Sequence, residues 1–132
     1  ARLTEYRLFL PGEAAPWTVQ RARFANKNAS PSVLRMRTFQ DRIRAAFLAK
    51  YGRPDPPLTG PIALDLVFAR GGGKHGRRKA TSRPDITNLQ KACEDALNDY
   101  AYRDDCQVVQ VTAQKVVTSE PYTCITVRDI VA

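Results

Sequence analysis

Prolines and glycines partition this chain more firmly than any other feature. Breaks fall at Pro11-Gly12, at Ser30-Pro31, between Gly52 and Pro61, at glycines 71–73 and at Pro84. Proline removes a backbone donor and fixes φ, while glycine opens tight turns, so no helix or central strand runs through these points. The intervals between them set the elements. Residues 4–10 alternate and predict a strand. Residues 12–31 are polar and read as loop. Ser30 as N-cap with Pro31 at the first helical position predicts a helix to about residue 51, stopped by Gly52 and Pro54. Its apolar residues Leu34, Phe39, Ile43, Phe47 and Leu48 recur at mostly helical spacing, leaving the arginines outward. Residues 62–69 alternate again, with Ile62, Leu64, Leu66 and Phe68 on one face. Pro84 precedes a second helix, about 85–99, whose packing stripe is Ile86, Leu89, Cys93, Ala96, Leu97 and Tyr100. Residues 106–117 and 122–131 are β-type runs. The order predicts an α+β or α/β domain, a mixed β-sheet with two principal helices on one face.

The chain has 132 residues, which fits one domain, residues 1–132, burying roughly two-thirds of its unfolded surface. No apolar run approaches the ~20 residues that span a bilayer, and no secretory signal is visible at the N-terminus. Three cysteines (Cys93, Cys106, Cys124) without a CxxC pair, and one histidine, argue against a disulfide framework or structural zinc. The cysteines read as core fillers, and the expected compartment is reducing and cytoplasmic. There are 21 basic against 13 acidic residues, net +8, which points to a polyanionic partner.

The charge is unevenly spread. Residues 20–53 carry nine Lys/Arg, including Arg21 and Arg23, against the single acid Asp41. Residues 70–83 carry six (Arg70, Lys74, Arg77, Arg78, Lys79, Arg83) and no acid, in a glycine-rich loop read as flexible. These cations form the candidate DNA-binding surface. The loop lacks the G-x-x-x-x-G-K-[ST] spacing, so no nucleotide cofactor is implied. His75, within it, is a poor general base, because a mobile loop cannot hold one in place. Residues 85–105 reverse the sign: Asp85, Glu94, Asp95, Asp99, Asp104 and Asp105 face only Lys91 and Arg103. Basic segments ahead of an acidic cluster suit phosphate chemistry, with cations for the backbone and carboxylates for a divalent metal.

The segment from Arg83 to Val111 reads RPDITNLQKACEDALNDYAYRDDCQVVQV. It resembles the RusA family of Holliday junction resolvases, phage-associated endonucleases with the pattern R/K-P-D-x-D-N-x-x-K-x-x-x-D-A-L, a short spacer, then D-D-x-Q-V. The matches are Pro84, Asp85, Asn88, Lys91, Asp95, Ala96, Leu97, Asp104, Asp105, Gln107 and Val108, eleven positions in 25 residues. The basic Gln20–Phe24 stretch is similar, more weakly, to the family's N-terminal segment. The resemblance implies a Mg²⁺-dependent DNA endonuclease (Mn²⁺ is the alternative cation) that acts on four-way junctions in recombination and repair. It implies a homodimer with one site per subunit and no membrane partner. By resemblance Asp85 and Asp105 are metal ligands, Lys91 is the cation at the phosphate, Asp95 supports the site, and Asn88 and Asp104 are further supporting positions.

One position departs from the pattern: Thr87 stands where the family commonly has a second aspartate. Threonine is a neutral, weak oxygen ligand, so two readings compete. Either Glu94, on the row with Thr87 and Lys91, or Asp95 supplies the missing carboxylate, or the metal site is weakened and the protein binds DNA without cutting. An RNA- or ribosome-associated domain would explain the charge but not the ordered carboxylates. Simpler structural roles exist for each residue. Asp85 can be an ordinary N-cap, Lys91 and Asp95 an i,i+4 pair worth a few tenths of a kcal/mol, and Asp104-Asp105 a turn. Trp17, Tyr100 and Tyr102 are either packing residues or platforms for unpaired bases.

Overall fold

Ser30 starts the first helix as its chemistry predicts. In the computed structural model, which describes residues 3–19 and 30–130, the Ser30 hydroxyl accepts a hydrogen bond from the Val33 N–H at 3.3 Å. Helix α1 (Pro31–Tyr51) ends at Gly52, whose left-handed φ of 69° lets its N–H reach the Leu48 carbonyl. Its buried residues are Val33, Met36, Phe39, Gln40, Ile43 and Phe47. Leu34 and Leu48 lie off this stripe and are 52% and 40% exposed, correcting the expected packing face. Helix α2 (Ile86–Ala96) stops three residues earlier than the pattern suggests. After it the chain reverses, with Asp99 at φ 65° and its N–H donating to the Tyr102 carbonyl at 2.7 Å. Aspartate tolerates that left-handed conformation better than most residues do.

Four strands, β1 (Glu5–Pro11), β2 (Ile62–Gly71), β3 (Val108–Thr118) and β4 (Tyr122–Asp129), form one mixed sheet in the order β1-β4-β2-β3. Only β2 and β3 are parallel. A parallel pair needs a crossover, and α2 lies in it, so one end of α2 follows β2 and the other precedes β3. The fold is α+β, with both helices contributing to the core on one sheet face. Phe47, Phe68, Ile43, Leu64, Leu89 and Leu97 are fully buried there. Truncating such a phenylalanine to alanine costs about 3–5 kcal/mol. The opposite face is uncovered: Phe9, 61% exposed, stacks on Tyr122 at 5.3 Å between ring centroids.

Side chains of α1 lock α2 in place. Gln40 Nε2 donates to the Ala92 carbonyl at 3.1 Å, and Arg44 Nε donates to the Ala96 carbonyl at 3.0 Å. The second bond serves a C-terminal carbonyl that has no partner within its own helix. Of the three cysteines only Cys93 is core; Cys106 is exposed and Cys124 half-buried, so the core-filler reading holds for one of them.

Candidate active site and basic groove

The C-terminal half of α2 gathers the carboxylates. Asp105 sits in a 3₁₀ turn (Asp105–Gln107) between the α2 turn and β3. Gln107 builds that turn: its Oε1 accepts from the Arg103 and Asp104 N–H groups, both at 2.9 Å, and its Nε2 donates to the Leu58 and Gly60 carbonyls. Asp105 is thereby brought to Asp95. Burial raises its carboxyl pKa first, and the hydrogen-bonded Asp95 carboxyl and the Asp104 charge raise it further. Glu94, half-buried, is raised chiefly by burial and also by Asp105 and Asp95, against a lowering hydrogen bond from Gln90 and the Lys91 charge. Asp104 is held low, mainly by hydrogen bonding with Cys106. Asp105 and Glu94 thus neighbour Asp95 at one end of the helix. Among the described residues, however, no group of three or more His, Cys, Asp or Glu side chains forms a metal-holding cluster.

Asp85 lies at the other end. It occupies the N-cap position of α2, yet its side chain makes no capping hydrogen bond. The N-cap role therefore does not account for its carboxylate, which lines a groove of about 660 Å³ with Trp17, Arg35, Arg78, Arg83 and Asn88. From the start of α2 to Asp95 is on the order of 15 Å along the axis at 1.5 Å per residue. Asp85 and Asp105 therefore belong to different ends of the helix.

Lys91 lies between them. Its ammonium is 4.8 Å from the Trp17 ring centroid, a cation–π contact, and no Lys91–Asp95 ion pair occurs among those of the described residues. The backbone at Trp17 is tied to α2, its main-chain N–H donating to the Asn88 carbonyl at 2.8 Å. Of the other aromatics, Tyr102 is fully buried and donates its hydroxyl to the Glu94 carbonyl at 2.7 Å, which excludes it as a base platform. Tyr100 has Arg53 4.6 Å from its ring centroid. Thr87 is exposed in the first turn of α2.

The basic residues divide. Arg78 and Arg83 line the groove, whereas Arg77, Lys79 and His75 are exposed around it. Arg70 also lines the groove but is only 8% exposed. Arg21 and Arg23 lie outside the described residues, as does the Lys74 side chain. The loop folds back on itself, with Arg78 N–H donating to the Gly72 carbonyl at 2.7 Å. Two residues outside the motif shape this region. Lys115 Nζ, on β3, donates to the Ser82 and Pro84 carbonyls, both at 2.8 Å, and so fixes the entry to α2. Glu13 bridges the arginines. Neither carried a signal in the sequence, because each acts on backbone or charge distant in the chain.

An acidic site beside a cationic groove is the pairing a phosphodiester-handling domain uses. Comparison with known proteins makes this specific. The chain matches the endodeoxyribonuclease RusA family over residues 13–128, and it belongs to that family of Holliday junction resolvase-type nucleases. An uncharacterized protein of Bacillus subtilis strain 168, YqaN, is 32% identical to it over 100 residues, covering 66% of this chain and 70% of its own length.

Proposed function

We propose that the protein is a divalent-metal-dependent endonuclease that binds four-way DNA junctions and hydrolyses a phosphodiester in them. The observation that carries this reading is the Asp95–Asp105 carboxyl pair, with Glu94 adjoining, on the same crossover helix as a groove lined by arginines. Crowded carboxylates repel one another, and a hard cation relieves that repulsion while taking oxygen ligands. Carboxylates are the ligand chemistry of Mg²⁺ or Mn²⁺, and the residues that would hold the ion are Asp105 and Asp95, with Glu94 drawn in to replace the aspartate missing at Thr87. When bound, such an ion polarises a phosphodiester and lowers the pKa of water. Lys91 contributes a positive charge for the scissile phosphate, held by Trp17. Asp85, a ligand by the family pattern, is assigned to the strand path beside Asn88 at the groove end of the helix. Arg77, Arg78, Lys79 and Arg83, together with Arg21 and Arg23, hold DNA phosphates.

A junction presents two equivalent strands, so the unit that cuts both is a two-fold homodimer joined through one self-complementary patch. The uncovered sheet face around Phe9 and Tyr122 is the patch we assign to it. The protein acts in recombination and repair, in the cytoplasm; no described helix is long and apolar enough to cross a membrane.

Binding without cleavage is the second reading, favoured by the lack of a three-carboxylate cluster among the described residues. One assay separates the two. A labelled four-way junction incubated with protein and Mg²⁺ is nicked on the first reading, while linear duplex and EDTA controls stay intact. A junction shifted in a gel but never cut supports the second.

A further inference from the structure

The groove that lines up arginines for a polyanion also contains an acid at its most crowded point. Glu13 follows β1 on an irregular strap that crosses the end of β2. Its Oε1 accepts from the Gly71 N–H at 3.0 Å and from Arg78 Nη1 at 2.5 Å, and its Oε2 lies 3.1 Å from Arg70 Nε. Arg70 Nη1 donates to the Ala14 carbonyl at 3.0 Å, and Arg78 Nη1 also reaches the Gly71 carbonyl at 3.1 Å. One carboxylate therefore joins three pieces of chain: the strap, the end of β2 and the basic loop.

Simple electrostatics counts this acid as a defect, since a negative charge facing DNA weakens binding. Two features argue for a positive role. Arg70 is almost wholly buried, and a buried guanidinium without an anion is strongly destabilising. Arg78 sits on a loop with Gly72, Gly73 and Gly76, where an untethered side chain must be ordered at binding, at a cost in conformational entropy. A tether made beforehand removes that cost.

We propose that Glu13 is a positioning residue for DNA: it holds Arg78 in the groove wall beside Arg83, with Arg70 as the internal strut rather than a phosphate contact. The inference rests on the junction-nuclease reading for its substrate, but the tether itself does not. Its distinguishing consequence is a sign. Removing a negative charge from a DNA-facing groove should tighten binding if Glu13 is only an anion, and weaken it if Glu13 positions Arg78.

The test is Glu13→Gln, measured in EDTA so that binding is read without cutting. The expected results are a junction Kd raised about 5- to 10-fold, a log–log salt slope reduced by up to about one unit, and faster tryptic cleavage at residues 77–79, identified by fragment mass. Gly71→Ala is the second variant. Its added Cβ would stand 3.3 Å from Glu13 Oε1 and 3.4 Å from Pro121 Cδ, displacing the carboxylate at unchanged net charge. It should weaken junction binding in the same direction. Tighter or unchanged junction binding by folded Glu13→Gln, or tryptic cleavage at the wild-type rate, overturns the proposal. If wild type binds no junction, the functional reading fails instead, and the tryptic rates together with the salt that elutes each variant from heparin still decide the tether. Earlier elution and faster cleavage for Glu13→Gln support it; the reverse overturns it.

Discussion

Replacing Asp105 by asparagine tests the division of labour between the two ends of α2. The substitution keeps the side-chain volume and the surrounding turn, because the bonds that build it come from Gln107 rather than from the Asp105 carboxylate. It removes one of two neighbouring acids, and its pKa is already raised by burial, by Asp95 and by Asp104, so the metal-free fold loses no favourable charge. What it should lose is metal binding. For wild type at a Mg²⁺ concentration ten times its Kd, linkage adds about 1.4 kcal/mol to the folded state. For a domain of this size that corresponds to a rise of about 3–6 °C in Tm. Thermal unfolding with EDTA and with Mg²⁺ should show this rise for wild type and almost none for Asp105→Asn. Junction cleavage should fall by at least about 100-fold, equivalent to about 2.7 kcal/mol of transition-state stabilisation. Junction affinity should be unchanged or slightly tighter, since the arginines are untouched. Refutation has two forms. A mutant that keeps its Mg²⁺-dependent Tm rise removes Asp105 from the metal site; one that stays folded but loses binding together with cutting ends the separation of the two ends.

Three other outcomes follow from the same geometry. Glu94→Gln should raise the half-maximal Mg²⁺ concentration for cleavage several-fold, whereas Thr87→Asp, two turns away, should leave it within about twofold; a metal titration of both reads the difference, and the opposite ranking would return Thr87's position to the site. Neutralising Arg77, Arg78 and Lys79 together should flatten the salt dependence of junction binding by up to about three units of log–log slope, and an unchanged slope would mean that this loop faces away from DNA. Phe9→Arg should shift the protein from dimer to monomer in sedimentation without lowering its Tm by more than a few degrees, because Phe9 is exposed in the single chain; an unshifted dimer would move the interface off this sheet face.

The elements were legible where local chemistry decides them. Ser30-Pro31 marks a helix start and Gly52 its end because capping involves residues three or four apart, and both the hydroxyl cap and the left-handed glycine are found. The packing stripe of α2 was equally readable, since Leu89, Cys93, Ala96 and Leu97 are all buried. Legibility failed where the partner is distant in sequence. Leu34 and Leu48 look like core by composition, but the orientation of α1 is set by what it meets, and Met36 and Gln40 face inward instead. Tyr102 stayed open between packing and a base platform because nothing nearby in the sequence shows that its hydroxyl turns to the Glu94 carbonyl. The motif singled out candidate residues but not their grouping. Asp95 joins Asp105 because the turn carried by Gln107 folds back on the helix, while Asp85 stays with the arginines. Glu13 and Lys115 were invisible, since their side-chain partners lie 57 or more and 31 or more residues away.

On the proposed function, the crossover topology explains how one short helix can serve two kinds of chemistry. A helix between parallel strands has its N-terminus near the end of one strand and its C-terminus near the start of the next, so its ends face different surroundings. Here the first end meets the basic loop and strap, and the second meets the turn carrying Asp105. The separation is on the order of 15 Å at 1.5 Å of rise per residue. A strand laid along α2 would have its phosphates gripped at one end while a bond further along it meets the carboxylates, with Lys91 and Trp17 midway. Such a ruler works only if it is rigid, and its supports come from every neighbour. Gln40 and Arg44 hold it from α1, Lys115 holds its entry from β3, and Tyr102 bonds the carbonyl of Glu94 from the returning chain. On the proposed function, loosening any one of these should therefore change where the junction is cut before it changes how tightly the junction is held.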